Sequence, residues 1–309
     1  MKKFAHWGSI AVVLAALLWS VDGLLRRHLY DLPPSVIVFW EHTLGFAILA
    51  PLLFTSWRKF RDLTKRQWLS IAFVALISGA LGTILYTAAL GRIQFIPFSV
   101  VVLLQQLNPI FAISAAALLL RERLNSRFLL LALVALAGAY MVTFPDLTVN
   151  LSTGQGTITA ALYAIGAAAC WGIGTAFSKY SLKGTSYTHI TAARFGLTAL
   201  ISLLFVAGSH SVSAVSALTQ TQFFYLLAIT FSTGMVALLI YYYGLQRVPA
   251  SRAAVLELAW PLSAVIVGWL FLNEGLSLTQ AIGALVLVGT TYMLTKDTRD
   301  ALSPETVNQ

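Results

Sequence analysis

The sequence predicts an all-α membrane protein of ten transmembrane helices, arranged as two inverted five-helix repeats. Three observations predict this fold class. The first is composition: of 309 residues, 58% are hydrophobic and 10% are charged, with a mean hydropathy of +0.81. An average soluble domain is about 45–50% apolar and about 25% charged, because it needs a polar surface. The other two observations are ten continuous apolar stretches and an internal repeat that divides them into two sets of five.

Each apolar stretch is long enough to cross a bilayer, because about 20 helical residues span about 30 Å of hydrocarbon. The stretches are continuous rather than alternating, which excludes the strands of a membrane β-barrel. The first stretch follows Lys2 and Lys3, as in a signal peptide, but no small-residue cleavage site comes after it. We therefore expect membrane spans at 7–25, 35–54, 69–90, 97–119, 127–144, 157–178, 187–207, 222–244, 253–272 and 278–295.

The distribution of cations predicts the orientation of these spans. With the N-terminus inside, sixteen of the 20 Lys and Arg residues fall in cytoplasmic segments and three fall in outer segments. Cytoplasmic loops of membrane proteins carry such an excess of cations. The sequence therefore predicts a multi-pass protein with both termini in the cytoplasm.

An internal repeat emerges when the chain is compared with itself at an offset of 152 residues. The motifs that coincide are a tryptophan of the first span, a proline of the fourth span and the turn before the fifth span, at Trp19 and Trp171, Pro109 and Pro261, and 121–124 and 273–276. We expect the halves to be 1–148 and 149–309. Each holds an odd number of spans, so the halves have opposite orientations. Inverted repeats are typical of secondary transporters, whose substrate site lies near the midplane where the halves meet.

These motifs resemble the drug/metabolite transporter superfamily, and in particular its EamA-type members with two EamA repeats. The resemblance covers about residues 7–295. It implies export of amino acids or similar amphipathic metabolites across a bacterial inner membrane by alternating access. Sister families that exchange nucleotide sugars or sugar phosphates provide an alternative, as does a lipid flippase. Many EamA repeats carry an arginine early in the second span; Arg194 fits, whereas the first half has His42 there, after Glu41.

Polar residues inside the spans are candidates for gating or for coupling to protons. A charge in mid-membrane costs at least about 2.5–3.5 kcal/mol, so it needs a partner or a wet cavity. Arg194 and Glu257 lie at similar depths and could form one gate; their counterparts at the repeat offset, His42 and Gln105, could form the other. A permanent structural clamp is the alternative. Glu41, His42 and Glu257 are the candidate proton carriers, while facilitated diffusion would need none.

Two further groups have a structural interpretation. Asp22 lies one helical turn before Arg26, and we expect a local ion pair at the outer interface. The three consecutive tyrosines at 241–243 lie near the cytoplasmic end of a span, where they could belong to an interfacial aromatic belt or could face a cavity.

The resemblance also implies that the third, fourth, eighth and ninth spans form the substrate wall. Asn108-Pro109 and Trp260-Pro261 place a helix break mid-span in each half. Such paired breaks indicate a transport site. The expected substrate-binding residues on these spans are Tyr86, Gln105, Gln106, Asn108, Tyr242, Glu257 and Trp260.

The sequence contains none of the motifs that would indicate an enzyme or a pump. It has no Gly-rich phosphate loop ending in Lys-Ser/Thr, no His-Glu-x-x-His and no Gly-x-Ser-x-Gly. The single Cys170 excludes an internal disulfide and a thiolate metal site. We therefore expect no catalytic residue, no metal and no cofactor. The expected partners are a small-molecule substrate, membrane lipids and, if transport is coupled, protons; we expect no nucleic acid, and a monomer or weak homodimer.

Overall fold

The computed structural model describes residues 2–92, 101, 104–144, 147, 157–263 and 277–296, and these ranges contain helices and turns but no strand. We label the principal helices in chain order: α1 Trp7–Leu29, α2 Pro34–Thr55, α3 Lys65–Leu90, α4 Asn108–Leu119, α5 Ser126–Thr143, α6 Ile158–Ser181, α7 Tyr187–Gly208, α8 Gln220–Leu245, α9 Ala250–Leu256 and α10 Leu278–Lys296. Short helices at Trp57–Arg61 and Val212–Ser216 precede α3 and α8.

Eight of these helices are long and apolar enough to cross a membrane. In the described ranges α4 has 12 residues and α9 has seven. The predicted fourth and ninth spans, 97–119 and 253–272, fall partly outside those ranges. The prediction of an all-helical membrane bundle is therefore confirmed for eight spans, and the count of ten stays a prediction.

Equivalent helices of the two halves begin with equivalent caps. Thr64 and Thr219 each form a capping box with the glutamine three residues later, at the starts of α3 and α8. Asn125 and Ser277, which are 152 residues apart, accept hydrogen bonds from backbone N–H groups at the starts of α5 and α10. These side chains satisfy donors that the first turn of a helix leaves unpaired.

The helix contacts made by one half are repeated by the equivalent helices of the other half. Helix α1 packs on α8 as α6 packs on α3, while α2 packs on its counterpart α7 and α5 packs on its counterpart α10. The approach of α5 to α10 requires glycine, because a Cβ at Gly283 would lie 2.8 Å from the carbonyl oxygen of Gly138. Small residues permit such contacts between membrane helices. The first helix of each half, α1 or α6, therefore packs against a helix of the opposite half.

Large apolar side chains face outward. Phe54, Leu118 and Leu204 are 85%, 84% and 72% exposed. Such an apolar surface suits the hydrocarbon of a membrane. Helices are suited to it as well, because their backbone N–H and C=O groups bond each other and need no water. The bundle therefore carries its polar residues inside and its apolar residues toward lipid.

Candidate functional site

A cavity of about 180 Å³ lies where the two halves meet. Helices α1, α2 and α3 line it from the first half and α6, α7 and α8 from the second, together with residues at or beside α4 and α9. Nine of the ten residues predicted for binding, gating or coupling line this one cavity: Glu41, His42, Tyr86, Gln105, Gln106, Asn108, Arg194, Glu257 and Trp260.

Tyr242 is the exception, because it does not line the cavity. It is 1% exposed, and its hydroxyl lies 2.8 Å from Ser178 Oγ. Its neighbour Tyr241 lines the cavity instead. Successive helical positions point about 100° apart, so the two neighbouring tyrosines have different surroundings. Both tyrosines lie inside the bundle rather than in an aromatic belt, whereas Tyr243 is half-buried beneath the guanidinium of Arg247, 3.5 Å from its ring centre.

The pair predicted between Asp22 and Arg26 forms part of a buried ion cluster. Arg26 Nε lies 2.5 Å from Asp22 Oδ2, and Arg26 Nη2 lies 2.7 Å from Glu41 Oε2. The third nitrogen donates to Thr87 Oγ1 over 3.2 Å, and Thr233 Oγ1 donates to Asp22 Oδ1 over 2.6 Å. Arg26 is only 3% exposed, so the pair does not lie at a solvated interface as expected. The cluster joins α1 to α2, α3 and α8.

His42 and Gln105 do not contact each other as a gate in this structure. His42 Nδ1 lies 2.9 Å from the carbonyl oxygen of Val38, and its ring packs on Phe195 with 4.8 Å between ring centres. Gln105 Nε2 donates to the carbonyl of Ala164 over 2.6 Å. Each side chain therefore bonds a backbone carbonyl and not the other side chain. The His42–Gln105 gate stays a hypothesis about another conformation.

Arg194 and Glu257 are likewise separated by tyrosines in the part of the chain that the structure describes. Arg194 Nη1 donates to Tyr242 Oη over 2.7 Å. Glu257 accepts from Tyr241 Oη over 2.5 Å and from Asn108 Nδ2 over 3.0 Å. Arg194 and Glu257 are therefore each bonded to a tyrosine hydroxyl of α8, at neighbouring positions, rather than to each other.

Two π-helical segments border the cavity, at Ala75–Gly82 in α3 and Thr230–Gly234 in α8. A tryptophan from the opposite half pairs with each. Trp19 Nε1 donates to the carbonyl of Thr233 over 2.9 Å, and Trp171 Nε1 donates to the carbonyl of Ser78 over 3.0 Å. π-Helical turns occur frequently at functional sites. The sequence repeat identified both tryptophans, but not their role in joining the halves.

The same tryptophans supply the aromatic walls of the cavity. The ring centres of Trp19 and Tyr241 lie 5.2 Å apart, and those of Tyr86 and Trp171 lie 5.1 Å apart. Each pair combines one ring from each half. Trp19 and Trp171 were absent from the predicted binding residues, although their coincidence at the repeat offset was the signal that could have placed them there.

A second contact between the halves involves the turn before α5. The Glu122 carboxylate accepts hydrogen bonds from the backbone N–H groups of Ala250 and Ser251, over 2.7 and 3.1 Å, and from Ser251 Oγ. These donors belong to the first turn of α9. A carboxylate there satisfies otherwise unpaired N–H groups. Glu122 therefore fastens the first half to a helix that borders the cavity.

The cavity presents polar groups that can bind a ligand. No group of three or more His, Cys, Asp or Glu that could hold a metal occurs among the residues described. The carboxylates are engaged by Arg26, Thr233, Tyr241 and Asn108. What the cavity offers is aromatic surface, amide groups and bonded charges, contributed by both halves.

Comparison with known proteins agrees with this arrangement. The riboflavin transporter ImpX of Fusobacterium nucleatum is 32% identical over 284 residues, which cover 91% of this chain and 95% of that protein. The pseudopaline exporter CntI of Pseudomonas aeruginosa is 27% identical over 286 residues, covering 91% and 93%. A crystal structure with 19% sequence identity has a TM-score of 0.73 and covers 96% of this chain and 98% of its own; it shows the shared fold.

The family comparison finds the repeat as well. The model of the EamA-like transporter family matches this chain twice, at residues 6–144 and 158–296. The two matches account for nearly the whole chain. The chain therefore belongs to the EamA-like transporter family, and is a membrane transporter of the drug/metabolite transporter superfamily.

Proposed function

We propose that this chain is a secondary transporter that carries a small amphipathic metabolite by alternating access. In this proposal the two halves, 1–148 and 149–309, form ten spans of opposite orientation in the bacterial inner membrane, with both termini cytoplasmic. The observation that carries the proposal is the cavity between the halves, because residues of both halves line it. Rocking one half against the other would open such a cavity to each side in turn.

The size of the cavity supports a change of conformation during transport. Sites for small molecules usually enclose about 300–1,000 Å³. The cavity here has about 180 Å³, and the ion cluster around Arg26 joins α1 to α2 at its wall. A conformation narrower than the one that holds the substrate accounts for this volume.

The substrate proposal has two candidates, each favoured by a specific observation. An amino acid, the class implied by the sequence resemblance, could place its carboxylate at Arg194 and its ammonium group at Glu257, which both line the cavity. A riboflavin-like aromatic compound is favoured by the walls formed by Trp19 and Trp171 and by the riboflavin transporter among the relatives. A phosphorylated metabolite would need the guanidinium of Arg194, because that of Arg26 already serves two carboxylates.

Coupling to protons, if present, is best assigned to Glu257. Glu41 is neutralised by Arg26, so its protonation would break an ion pair. Glu257 has neutral partners, so protonation separates no ion pair. We expect Glu257→Gln to abolish uphill transport while downhill transport continues, and His42→Gln and Glu41→Gln to serve as comparisons. Uphill transport by Glu257→Gln at the wild-type rate would exclude this residue as the proton carrier.

Transport by purified protein in liposomes tests the proposed function. Radiolabelled amino acids and riboflavin are offered with and without an imposed proton gradient. Saturable uptake of one class without a gradient supports a facilitator, and uptake only with the gradient supports coupling. Lipid scrambling is measured in the same vesicles with a fluorescent lipid. Scrambling without metabolite transport by folded protein would contradict the proposal and favour the lipid alternative. The cavity lies within one chain, so we expect the monomer to suffice.

A further inference from the structure

Three amide side chains, Gln105, Gln106 and Asn108, line the cavity within four consecutive positions. We propose that their carbonyl oxygens are the groups that select the substrate. The substrate class they select is a planar aromatic heterocycle with N–H and O–H donors, such as a lactam or imide ring. This inference rests on the proposed transport function and specifies which chemistry the same cavity recognises.

The nitrogen end of each amide is already bonded. Gln105 Nε2 donates to a backbone carbonyl, that of Ala164, over 2.6 Å. A carbonyl can only accept a hydrogen bond, so the nitrogen of the amide must point to it. Exchanging the nitrogen and oxygen of Gln105 would bring two acceptors together. The orientation of this amide is therefore decided by the chemistry of its partner.

The same argument applies to the other two amides. Gln106 Nε2 lies 2.7 Å from Thr143 Oγ1, and that hydroxyl gives its own proton to the carbonyl of Ala139 over 2.8 Å. Thr143 therefore accepts from Gln106. Asn108 Nδ2 donates to the carboxylate of Glu257 over 3.0 Å, which also accepts. All three nitrogen ends are thus fixed by protein acceptors.

The oxygen ends are left without partners. Gln105 Oε1, Gln106 Oε1 and Asn108 Oδ1 are buried and receive no hydrogen bond from any residue that the structure describes. Buried polar atoms are nearly always paired, so three unpaired acceptors on residues that line one cavity call for a donor from elsewhere. An amide oxygen attracts N–H and O–H groups and repels a carboxylate or a phosphate. A ligand rich in donors therefore matches this wall.

The aromatic walls specify the rest of the ligand. The indole N–H groups of Trp19 and Trp171 are committed to the π-helical carbonyls of Thr233 and Ser78. Both rings therefore contribute aromatic surface, and not a hydrogen-bond donor, to the cavity. Flat aromatic ligands stack on such surfaces. An aromatic ring combined with N–H donors is the chemistry that satisfies the tryptophans and the three oxygens together.

The competing ligand is an amino acid held through its carboxylate. Arg194 Nε also lacks a partner in the described part of the chain, and it could bind such a group. Arg194 Nη1 is already bonded to Tyr242, and a carboxylate bound to this guanidinium gives no donor to the three amide oxygens. A donor-rich heterocycle pairs those oxygens, and the two ligands are distinguishable by experiment.

The test compares two probes that differ in one donor. Riboflavin carries an imide N–H, and 3-methylriboflavin carries a methyl group there. Equilibrium dialysis against the purified full-length protein, read by the fluorescence of the flavin, gives the affinity of each. We expect the methylated probe to bind at least about tenfold more weakly, because a site that hydrogen-bonds a donor strongly rejects the analogue that lacks it.

Variants then assign the effect to the amides. In Gln105→Leu and Gln106→Leu we expect riboflavin to bind more weakly and the difference between the two probes to shrink. The matched control is Gln280→Leu, which removes an amide that donates to the carbonyl of Val142 and does not line the cavity. This control should retain the wild-type difference. If both amide variants misfold, the comparison of the two probes on the wild-type protein still decides whether the imide donor is recognised.

The contradicting outcomes are distinct from a failure of the transport proposal. Equal binding of riboflavin and 3-methylriboflavin would overturn the role of the imide donor. Saturable phenylalanine transport by a preparation that binds neither flavin would overturn the ligand class while confirming a transporter. Transport of no metabolite by folded protein would overturn the transport proposal itself.

Discussion

The two halves of the bundle use different chemistry to secure the cation at the end of their first helix. In α1 the guanidinium of Arg26 is held by the carboxylates of Asp22 and Glu41. In α6 the ammonium group of Lys179 donates to three backbone carbonyls, at 2.7, 3.1 and 2.8 Å, in the segment between α8 and α9. The Trp19 and Trp171 contacts, by contrast, are the same in both halves. The halves therefore share a scaffold and differ in charge.

The two cations differ in the charge of their partners, which are carboxylates at Arg26 and neutral backbone carbonyls at Lys179. The Arg26 cluster buries two carboxylates with one guanidinium, so removing the guanidinium leaves two buried carboxylates with no cation. The Lys179 contacts hold one half-buried charge among neutral acceptors. Removing a partner from a buried ion pair costs about 3–5 kcal/mol, whereas hydrogen bonds to a charged group contribute about 1.5–3 kcal/mol. The α1 end should therefore be the less tolerant of substitution.

The largest effect is expected for Arg26→Met. This change leaves Asp22 and Glu41 buried with no cation, and we expect a loss of about 3–5 kcal/mol in stability. Thermal unfolding in detergent measures it. The triple variant that adds Asp22→Asn and Glu41→Gln removes the stranded charges and should recover most of the loss. A single variant as stable as the wild type would show that the cluster does not hold the bundle together.

An intermediate effect is expected for Lys179→Met. The methionine fills the same space, and only neutral carbonyls lose a donor. Hydrogen bonds to a charged group contribute about 1.5–3 kcal/mol, so the loss should be smaller than that for Arg26→Met in the same unfolding assay. An equal or larger loss would contradict the distinction between the two ends.

The smallest effects are expected for Trp19→Phe and Trp171→Phe, measured separately. Each removes one N–H donor from a π-helical carbonyl and keeps an aromatic ring. A hydrogen bond of this kind contributes about 0.5–1.5 kcal/mol. Because the contact is the same in both halves, the two losses should be similar. If the two losses of stability differ by more than about 1 kcal/mol, the width of that range, the halves are not equivalent even in their scaffold.

The membrane helices were predictable from the sequence because hydrophobicity decides them. The runs that became α1, α2 and α3 need no tertiary information, and the offset between Trp19 and Trp171 revealed the repeat. The π-helical segments were not predictable. They depend on how α3 and α8 pack against the tryptophans, and no residue type marks them in advance.

Side-chain partners were less predictable because they depend on rotation and on distant contacts. The side chains of Tyr241 and Tyr242 point about 100° apart on the helix. A shift of one residue exchanges their directions, and predicted helix boundaries are uncertain by more than one residue. Arg26 pairs with Glu41 because α1 and α2 approach each other. The spacing of four residues between Asp22 and Arg26 predicts only the pair within α1. The sequence showed which residues are polar within the membrane, and packing decided which of them meet.

Access to the cavity from the two sides of the membrane tests the central claim most directly. Cys170 is the single cysteine, so Cys170→Ala provides a background for Thr175→Cys, a residue that lines the cavity. Thr64→Cys and Thr219→Cys, exposed at the starts of α3 and α8, mark the two membrane faces. A membrane-impermeant thiol reagent is applied to vesicles of either orientation, with and without the transported substrate.

Alternating access between inverted halves predicts that each marker reacts from one side only, and that the two markers react from opposite sides. The Thr175→Cys variant should react from both sides, and substrate should slow its reaction. Reaction of Thr175→Cys from one side only in a protein that transports, or reaction of both markers from the same side, would contradict the account.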